Sequence, residues 1–292
     1  MKRIIILSAL LAAAVSCSMF ELDSFEGPNA QVTGHLFDMV TGEQVSIEAA
    51  ASQGFDWSTW SMVTSVNYGS LVVVETGYIP PTWGGKPEDY PVREADQDWM
   101  VRFDGSYMNK LVFAGDYKFS CKKLPAYEPE DGKNTFTLKK GKNVMDVGVL
   151  PFCRVKDPKI TYNAATKKVV ATFYVELGDP SRANKISNVA LCGNTQLFVG
   201  CNNMNLAKND KGAKATNVQP GELITLEIDT TAPENADLFK YSTQDRYFRI
   251  AAMAEGNGYN TASNKFYNFS PIYKFKADFS GIEEVQWDEL EW

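Results

Sequence analysis

Lys168-Val-Val-Ala-Thr-Phe-Tyr-Val-Glu-Leu177 is the most informative stretch of this chain. It alternates at period two, is dominated by β-branched and aromatic side chains, and contains no turn residue, which is the pattern of a half-buried strand. The same alternation recurs downstream in Glu222-Leu-Ile-Thr-Leu-Glu-Ile-Asp229 and in Tyr247-Phe-Arg-Ile-Ala-Ala-Met253. Near the end, Tyr273, Phe275, Ala277 and Phe279 alternate with Lys274, Lys276 and Asp278. Upstream, Gln31 to Asp38 reads as a strand and Met39 to Glu43 as a turn, with Gly42 available for positive φ. A strand resumes at Gln44, and further strands are expected at Leu71 to Glu75, Asn109 to Phe113, Asp116 to Cys121 and Asn143 to Val149. No long amphipathic helix interrupts them. The reading is an all-β chain of two antiparallel β-sandwich domains in tandem, divided near Pro151 where the pattern resets.

The N-terminus has a different character. Met1-Lys2-Arg3 is followed by an apolar run from Ile4 to Val15 and then by Ser16-Cys17. A positive flank before so short an apolar run is the pattern of a cleaved export signal, because the run is too short to span a bilayer comfortably. Ala14-Val15-Ser16-Cys17 is similar to a lipobox, which makes Cys17 the expected lipidation site and the chain's link to a membrane. The division expected is residues 1–16 as signal peptide, 17–30 as lipidated tether, 31–150 and 151–280 as the two β-domains, and 281–292 as an acidic tail. Loss of Lys2 and Arg3 leaves 27 basic against 36 acidic side chains, a formal charge of −9. Such a surface repels phosphate backbones and excludes nucleic acid as a natural partner.

Residues 52–104 are rich in Gly, Pro and aromatics, and Tyr78-Ile-Pro-Pro-Thr-Trp-Gly-Gly-Lys-Pro87 has three prolines that bar it from a sheet interior. Long loops of this kind in compact domains are commonly functional or disordered. Trp57, Trp60, Trp83 and Trp99, with Tyr78 and Tyr90, are the candidate glycan-binding residues: an exposed flat ring stacks on the apolar face of a sugar while polar neighbours hold its hydroxyls. Burial as a loop anchor is the alternative for each of them.

Four further cysteines remain. Cys192 and Cys201 are the candidate disulfide pair in an oxidising compartment. Cys121 alternates inward with Tyr117 and Phe119 and reads as a buried thiol. The single histidine, His35, sits in an early strand with no nucleophile-elbow sequence in the chain, so no catalytic residue is assigned. Metal-ligand spacings are lacking, Glu128-Pro-Glu-Asp-Gly132 reads as a solvated turn, and no metal or cofactor is expected. Asp96, Asp98 and Asp104 beside Trp99 leave a glycoside hydrolase as the remote alternative, since that chemistry needs only two carboxylates at the right separation.

Four segments carry a resemblance. Phe25 to Glu43 and Asp104 to Lys118 are similar to the opening strand and later hairpin of a carboxypeptidase-regulatory-like, or prealbumin-like, β-domain. Leu150 to Asp157 and Arg246 to Asn260 resemble opening and late strands of an immunoglobulin-like domain. Tether, prealbumin-like domain and immunoglobulin-like domain, in that order, resemble a Bacteroidetes outer-membrane lipoprotein family of unknown function. Its members are often encoded beside the transporter and glycan-binding lipoprotein of starch-utilisation-type uptake loci. The resemblance implies an outer-membrane, lipid-anchored address at the cell surface, with the periplasmic face as the other orientation. It also implies a transporter and a glycan-binding lipoprotein as partners. The aromatic-rich loops and the tail Gly281 to Trp292 depart from the family pattern. The expected function is a non-catalytic, glycan-binding accessory of polysaccharide uptake; the alternative is a structural component of a surface complex with no glycan ligand.

Overall fold

The computed structural model describes residues 27–48, 54–56, 61–63, 69–76, 96–130, 132–183, 185–202, 204–208, 212–240, 243–254 and 266–286. Two β-sandwich domains follow one another along the chain. In the first, β1 (Ala30–Asp38) lies between β6 (Ser106–Val112) on one edge and β10 (Gly141–Val144) and β11 (Val147–Pro151) on the other, with β8 (Ala126–Tyr127) beyond β11. The facing sheet has the order β5 (Gln97–Met100), β4 (Ser70–Thr76), β7 (Gly115–Lys123), β9 (Thr135–Leu138). A separate hairpin joins β2 (Gly54–Asp56) to β3 (Ser61–Val63).

Period-two burial builds this core. Ala30, Val32 and Leu36 of β1 face Leu71 and Val73 of β4 and Tyr117, Phe119 and Cys121 of β7, with Trp99 among them. Cys121 is buried as its alternation implies, and burial pushes its thiol up to about 12.

β1 departs from the antiparallel reading. It pairs in parallel with β10 at Ala30 to Thr33 and with β11 at Leu36 to Asp38. Alternation reports which face a side chain takes and carries nothing about strand direction, so the sequence pattern reads the same either way. The single strand expected from Asn143 to Val149 is two, broken at Met145 and Asp146. The break has partners: Tyr107 Oη donates to the Met145 carbonyl, and the His35 amide donates to Asp146 Oδ1 at 3.0 Å. Gly34 lies at this crossing, where a Cβ would overlap the Met145 carbonyl oxygen.

The second domain sets a three-stranded sheet, β12 (Cys153–Asn163), β13 (Lys168–Leu177) and β16 (Ile224–Asp229), against a larger one. The larger sheet runs β15 (Lys214–Val218), β14 (Ile186–Asn194), β17 (Arg246–Ala254), β19 (Tyr273–Phe275) and β20 (Ile282–Glu284), with β18 (Asn268–Phe269) also on β17. Val169, Ala171, Phe173 and Val175 of β13 enter the core with Leu226 and Ile228 of β16 and Phe248 and Ile250 of β17. A short helix, α1 (Ala236–Phe239), buries Leu238 against the same core. The strand expected through Phe279 stops at Phe275; Phe279 takes φ 60° in the following turn and stacks on Tyr162 at 4.1 Å.

The alternation assigned to Tyr247 to Met253 also gives way, because β17 is buried on both faces. Ala251 on its outer face joins a second cluster with Ala190, Cys192, Tyr267, Ile272 and Phe103, the last contributed by the first domain. Arg249, which alternation would send to solvent, is therefore fully buried. Its Nη2 donates to the Ile47 carbonyl at 2.9 Å and its guanidinium lies 3.6 Å from the Phe269 ring centroid. The two domains are further joined by Asp38, which receives both Nε and Nη2 of Arg154. Glu48 accepts the amides of Cys201 at 2.8 Å and Asn202 at 3.2 Å. Asn268 spans the junction too, donating to the Pro125 carbonyl at 2.9 Å and accepting from the Cys153 amide at 3.1 Å.

Candidate functional site

The structure places one of the candidate aromatics inside the first core. Trp99 is 1% exposed, ringed by Tyr107, Tyr117 and Phe136 at centroid distances of 6.2, 6.0 and 5.8 Å, and its Nε1 donates to Gln97 Oε1 at 3.3 Å. It holds the two sheets together and presents no face to a ligand. Trp57, Trp60, Trp83, Tyr78 and Tyr90, together with Cys17, lie outside the described residues.

The roots of the two aromatic-rich connections are described, and they are far apart. Residues 49–68 leave the first domain at Glu48 and return at Gly69, beside the junction with the second domain. Residues 77–95 leave at Thr76 and return at Asp96, toward the other end of β4. Ser70 and Thr76 are the two ends of a seven-residue strand, about 20 Å apart at the usual rise. The segment that carries Trp57 and Trp60 thus begins and ends at the domain junction. Tyr78, Trp83 and Tyr90 are rooted near the corner where the chain enters the fold: Asn29 there accepts the Ala114 amide at 2.8 Å through its Oδ1 and the Gly141 amide at 2.9 Å through its carbonyl.

Beside the first root, a groove of about 570 Å³ runs between the domains. One wall is Glu43, Gln44 and Ser46 of the first domain; the other combines the β12 bulge, Val155 to Pro158, with Phe269, Pro271, Tyr273 and Glu284 to Gln286. Local backbone shape builds the second wall. β12 and β13 lose register between Lys156 and Lys159, and Asp157 at φ 50° turns the strand outward there. Tyr273 Oη donates to the Pro158 carbonyl at 3.1 Å, which fixes the ring, while Arg249 supports Phe269 from beneath. Burial, with Glu284 alongside, pushes the Tyr273 hydroxyl up to about 12, so it stays a neutral donor. Two half-buried rings with amide, hydroxyl and charged side chains on both walls suit a neutral polyhydroxylated ligand.

A larger groove of about 650 Å³ lies at another edge of the second domain, lined by Asp245, Lys274, Lys276, Asp278 and Glu283. Lys274 there bridges Asp245 at 3.4 Å and Glu283 at 3.0 Å. Its charge is met within the protein and no aromatic ring lines it, so the junction groove is the better candidate despite its smaller volume.

The remaining candidates are dispersed. Cys192 is buried and its thiol hydrogen-bonds that of Cys201; the two are adjacent and not joined. His35 is exposed, with Nδ1 3.6 Å from Asp146 Oδ1. Asp98 pairs with Lys123 at 2.5 Å, and Asp104 is buried and accepts the Ser106 amide at 2.9 Å and its hydroxyl at 2.8 Å. These carboxylates are therefore engaged in structural contacts. Among the described residues no group of three or more His, Cys, Asp or Glu converges as a metal site, and no helix is long and apolar enough to cross a membrane.

Residues of the groove were invisible to sequence reasoning because they come from three distant segments and none is a tryptophan. The signal available was the Lys156-Asp-Pro158 interruption of an otherwise regular strand.

No family model matches the chain, and no curated protein matches it. Solved structures do. A Bacteroides uniformis protein named a "putative carbohydrate binding protein" is 29% identical, aligns over 86% of this chain and 100% of its own, and superposes with a TM-score of 0.62. A DUF3823 family protein of Parabacteroides merdae is 18% identical over 86% of this chain and 100% of its own, with a TM-score of 0.61. One from Bacteroides ovatus is 19% identical with the same coverage and a TM-score of 0.53. At those lower identities the likeness shows a shared fold.

Proposed function

We propose that this chain is a non-catalytic, glycan-binding accessory protein of the bacterial cell envelope, lipid-anchored through Cys17 at the outer membrane and serving a polysaccharide uptake system. The observation that carries the reading is the likeness, at 29% identity over 86% of this chain, to a protein named a "putative carbohydrate binding protein". The junction groove supports it with two supported rings and hydrogen-bonding side chains on both walls. The root of the segment bearing Trp57 and Trp60 lies beside that groove, so these two aromatics are the loop residues expected to contribute. A transporter and a second glycan-binding lipoprotein are the partners proposed from the family resemblance.

The test is affinity electrophoresis of residues 18–292, which retain every described element, across a broad polysaccharide panel. Three variants run beside it: Trp57→Ala with Trp60→Ala, Gln44→Ala with Lys156→Ala, and Trp83→Ala. Retention by the wild type that either of the first two folded variants weakens about 5- to 10-fold supports the junction site, since one aromatic contact contributes on the order of 1 kcal/mol. Retention lost only with Trp83→Ala would move the site to the other end of β4. A folded protein that no polysaccharide retains would refute glycan binding and favour the structural reading.

A further inference from the structure

The outer face of the first sandwich, at the corner where the chain enters the fold, combines features that the glycan reading does not use. Paired residues on neighbouring strands point to the same side of a sheet. Met108, Thr33 and Val144 form one such row across β6, β1 and β10, and all three face outward. One row nearer the chain entry, Lys142 pairs with Gln31, while the register shift in the β1–β6 pairing puts Lys110 and Leu111 opposite that residue. The apolar side chains here are unusually open: Val144 is 82% exposed and Leu111 76%. Exposed Lys139 and Lys140 occupy the turn leading into β10 immediately beyond them.

The position of this face says what covers it. Asn29 is tied to Ala114 and Gly141 at its margin, so the segment running back to Cys17 departs from this corner. Nine residues lie between Cys17 and Gly27, and the connection reaches at most about 35 Å when extended. An anchor at Cys17 therefore holds this corner, more than any other part of the fold, within reach of a bilayer. Its charge fits as well. The chain as a whole is strongly acidic, yet four lysines gather here, with Asp116 at the neighbouring corner held by the Thr137 hydroxyl at 2.5 Å. Lysines about an apolar patch are the composition of an interfacial surface, with the aliphatic groups entering the headgroup layer and the ammonium groups meeting anionic lipid.

We propose that this face of the β6–β1–β10 corner is a lipid-contacting surface that lies against an anionic bilayer, with Leu111 and Val144 as its apolar contacts and Lys110, Lys139, Lys140 and Lys142 as its headgroup contacts. The acidic remainder of the molecule is repelled from the same surface, so the contact also orients the protein, turning the domain junction outward. The proposal goes beyond glycan binding and is independent of the lipid anchor in its test.

Residues 18–292, without an acyl chain, are sedimented with vesicles of mixed phosphatidylcholine and phosphatidylglycerol, and with phosphatidylcholine alone, near physiological ionic strength. Binding to the anionic vesicles only is expected. The triple change Lys139→Ala, Lys140→Ala, Lys142→Ala should lower it on the order of 100-fold, given roughly a 5-fold contribution per lysine near such a surface. Leu111→Ser with Val144→Ser should weaken it while leaving the melting temperature and polysaccharide retention unchanged, since both side chains are on the surface. No wild-type binding to anionic vesicles, or binding that the lysine changes leave intact, overturns the proposal. So does a shift from dimer to monomer on Leu111→Ser with Val144→Ser in a protein that ignores vesicles, because the face would then cover a second copy.

Discussion

Replacing Glu48 by alanine should loosen the two domains from one another. Glu48 is 4% exposed and its carboxylate accepts the Cys201 and Asn202 amides. It is also the carboxylate nearest in effect to Arg249, whose guanidinium burial pulls down to about 10 and the Glu48 charge partly restores. Arg249 thus stays charged at neutral pH inside the junction, where, among the described residues, Nη2 has a hydrogen-bond partner and Nε and Nη1 have none. Glu48→Ala orphans two amides and removes the counter-charge. An unsatisfied amide costs up to about 1–3 kcal/mol where it is buried, less at Asn202, which is exposed, and leaving a buried charge without its counter-charge costs about 3–5 kcal/mol. Because these terms describe overlapping losses, the expected cost is about 3–5 kcal/mol, a large part of the roughly 5–15 kcal/mol that holds a typical domain folded. Equilibrium urea unfolding, followed by tryptophan fluorescence and far-ultraviolet dichroism together, should show a lower midpoint and the two signals separating as the domains uncouple. Glu43→Ala, on the groove wall, serves as the control and should change stability by less than about 0.5 kcal/mol. A Glu48→Ala protein within about 1 kcal/mol of wild type would refute the claim that this network couples the domains.

Gly34→Ala should cost about 1–3 kcal/mol through overpacking, read as a lowered melting temperature, because its Cβ has no room beneath the Met145 carbonyl; wild-type stability would refute the close approach of β1 to the break between β10 and β11. Burial alone would raise the Asp38 carboxyl, but the Arg154 hydrogen bonds and the Val40 amide bring it below its ordinary value. The folded-state pKa lies under the unfolded one, so the stability Asp38 contributes is complete above about pH 4 and is lost as pH falls through the folded value. The melting-temperature gap between wild type and Asp38→Asn should accordingly hold at neutral pH and close only below about pH 4; a gap that closes between pH 5 and 7 contradicts this. Burial pushes the Cys121 and Cys153 thiols up to about 12 and also seals Cys192, so brief alkylation of the native protein should label Cys201 first, as read by peptide mass; early labelling of Cys153 would contradict the packing.

Strand positions in the second domain were legible because each carries one buried row. Val169, Ala171, Phe173 and Val175 need no partner identity to declare an inward face. Legibility fails where a strand is covered twice or where direction matters. Arg249 sits on a strand whose outer face meets another domain, and a single-strand period contains no record of that neighbour. The parallel pairing of β1 with β10 and β11 is likewise silent in a period-two pattern. Trp99 was weighed with the loop aromatics because it follows a Pro- and Gly-rich run. Yet Trp99, Val101 and Phe103 already alternate, and all three are buried. The groove brings together segments more than 100 residues apart, with Gln44 on one wall and Lys156 and Tyr273 on the other. Local propensity and pattern describe one segment at a time, so a site made by docking two domains leaves little trace in either.

Calorimetric titration of residues 18–292 with the polysaccharides of a broad panel measures the proposed glycan binding without an intermediary. Saturable heat with at least one polysaccharide, reduced by Gln44→Ala with Lys156→Ala in a protein of unchanged melting temperature, is the result expected. Absence of heat across the panel from a folded protein would contradict the claim.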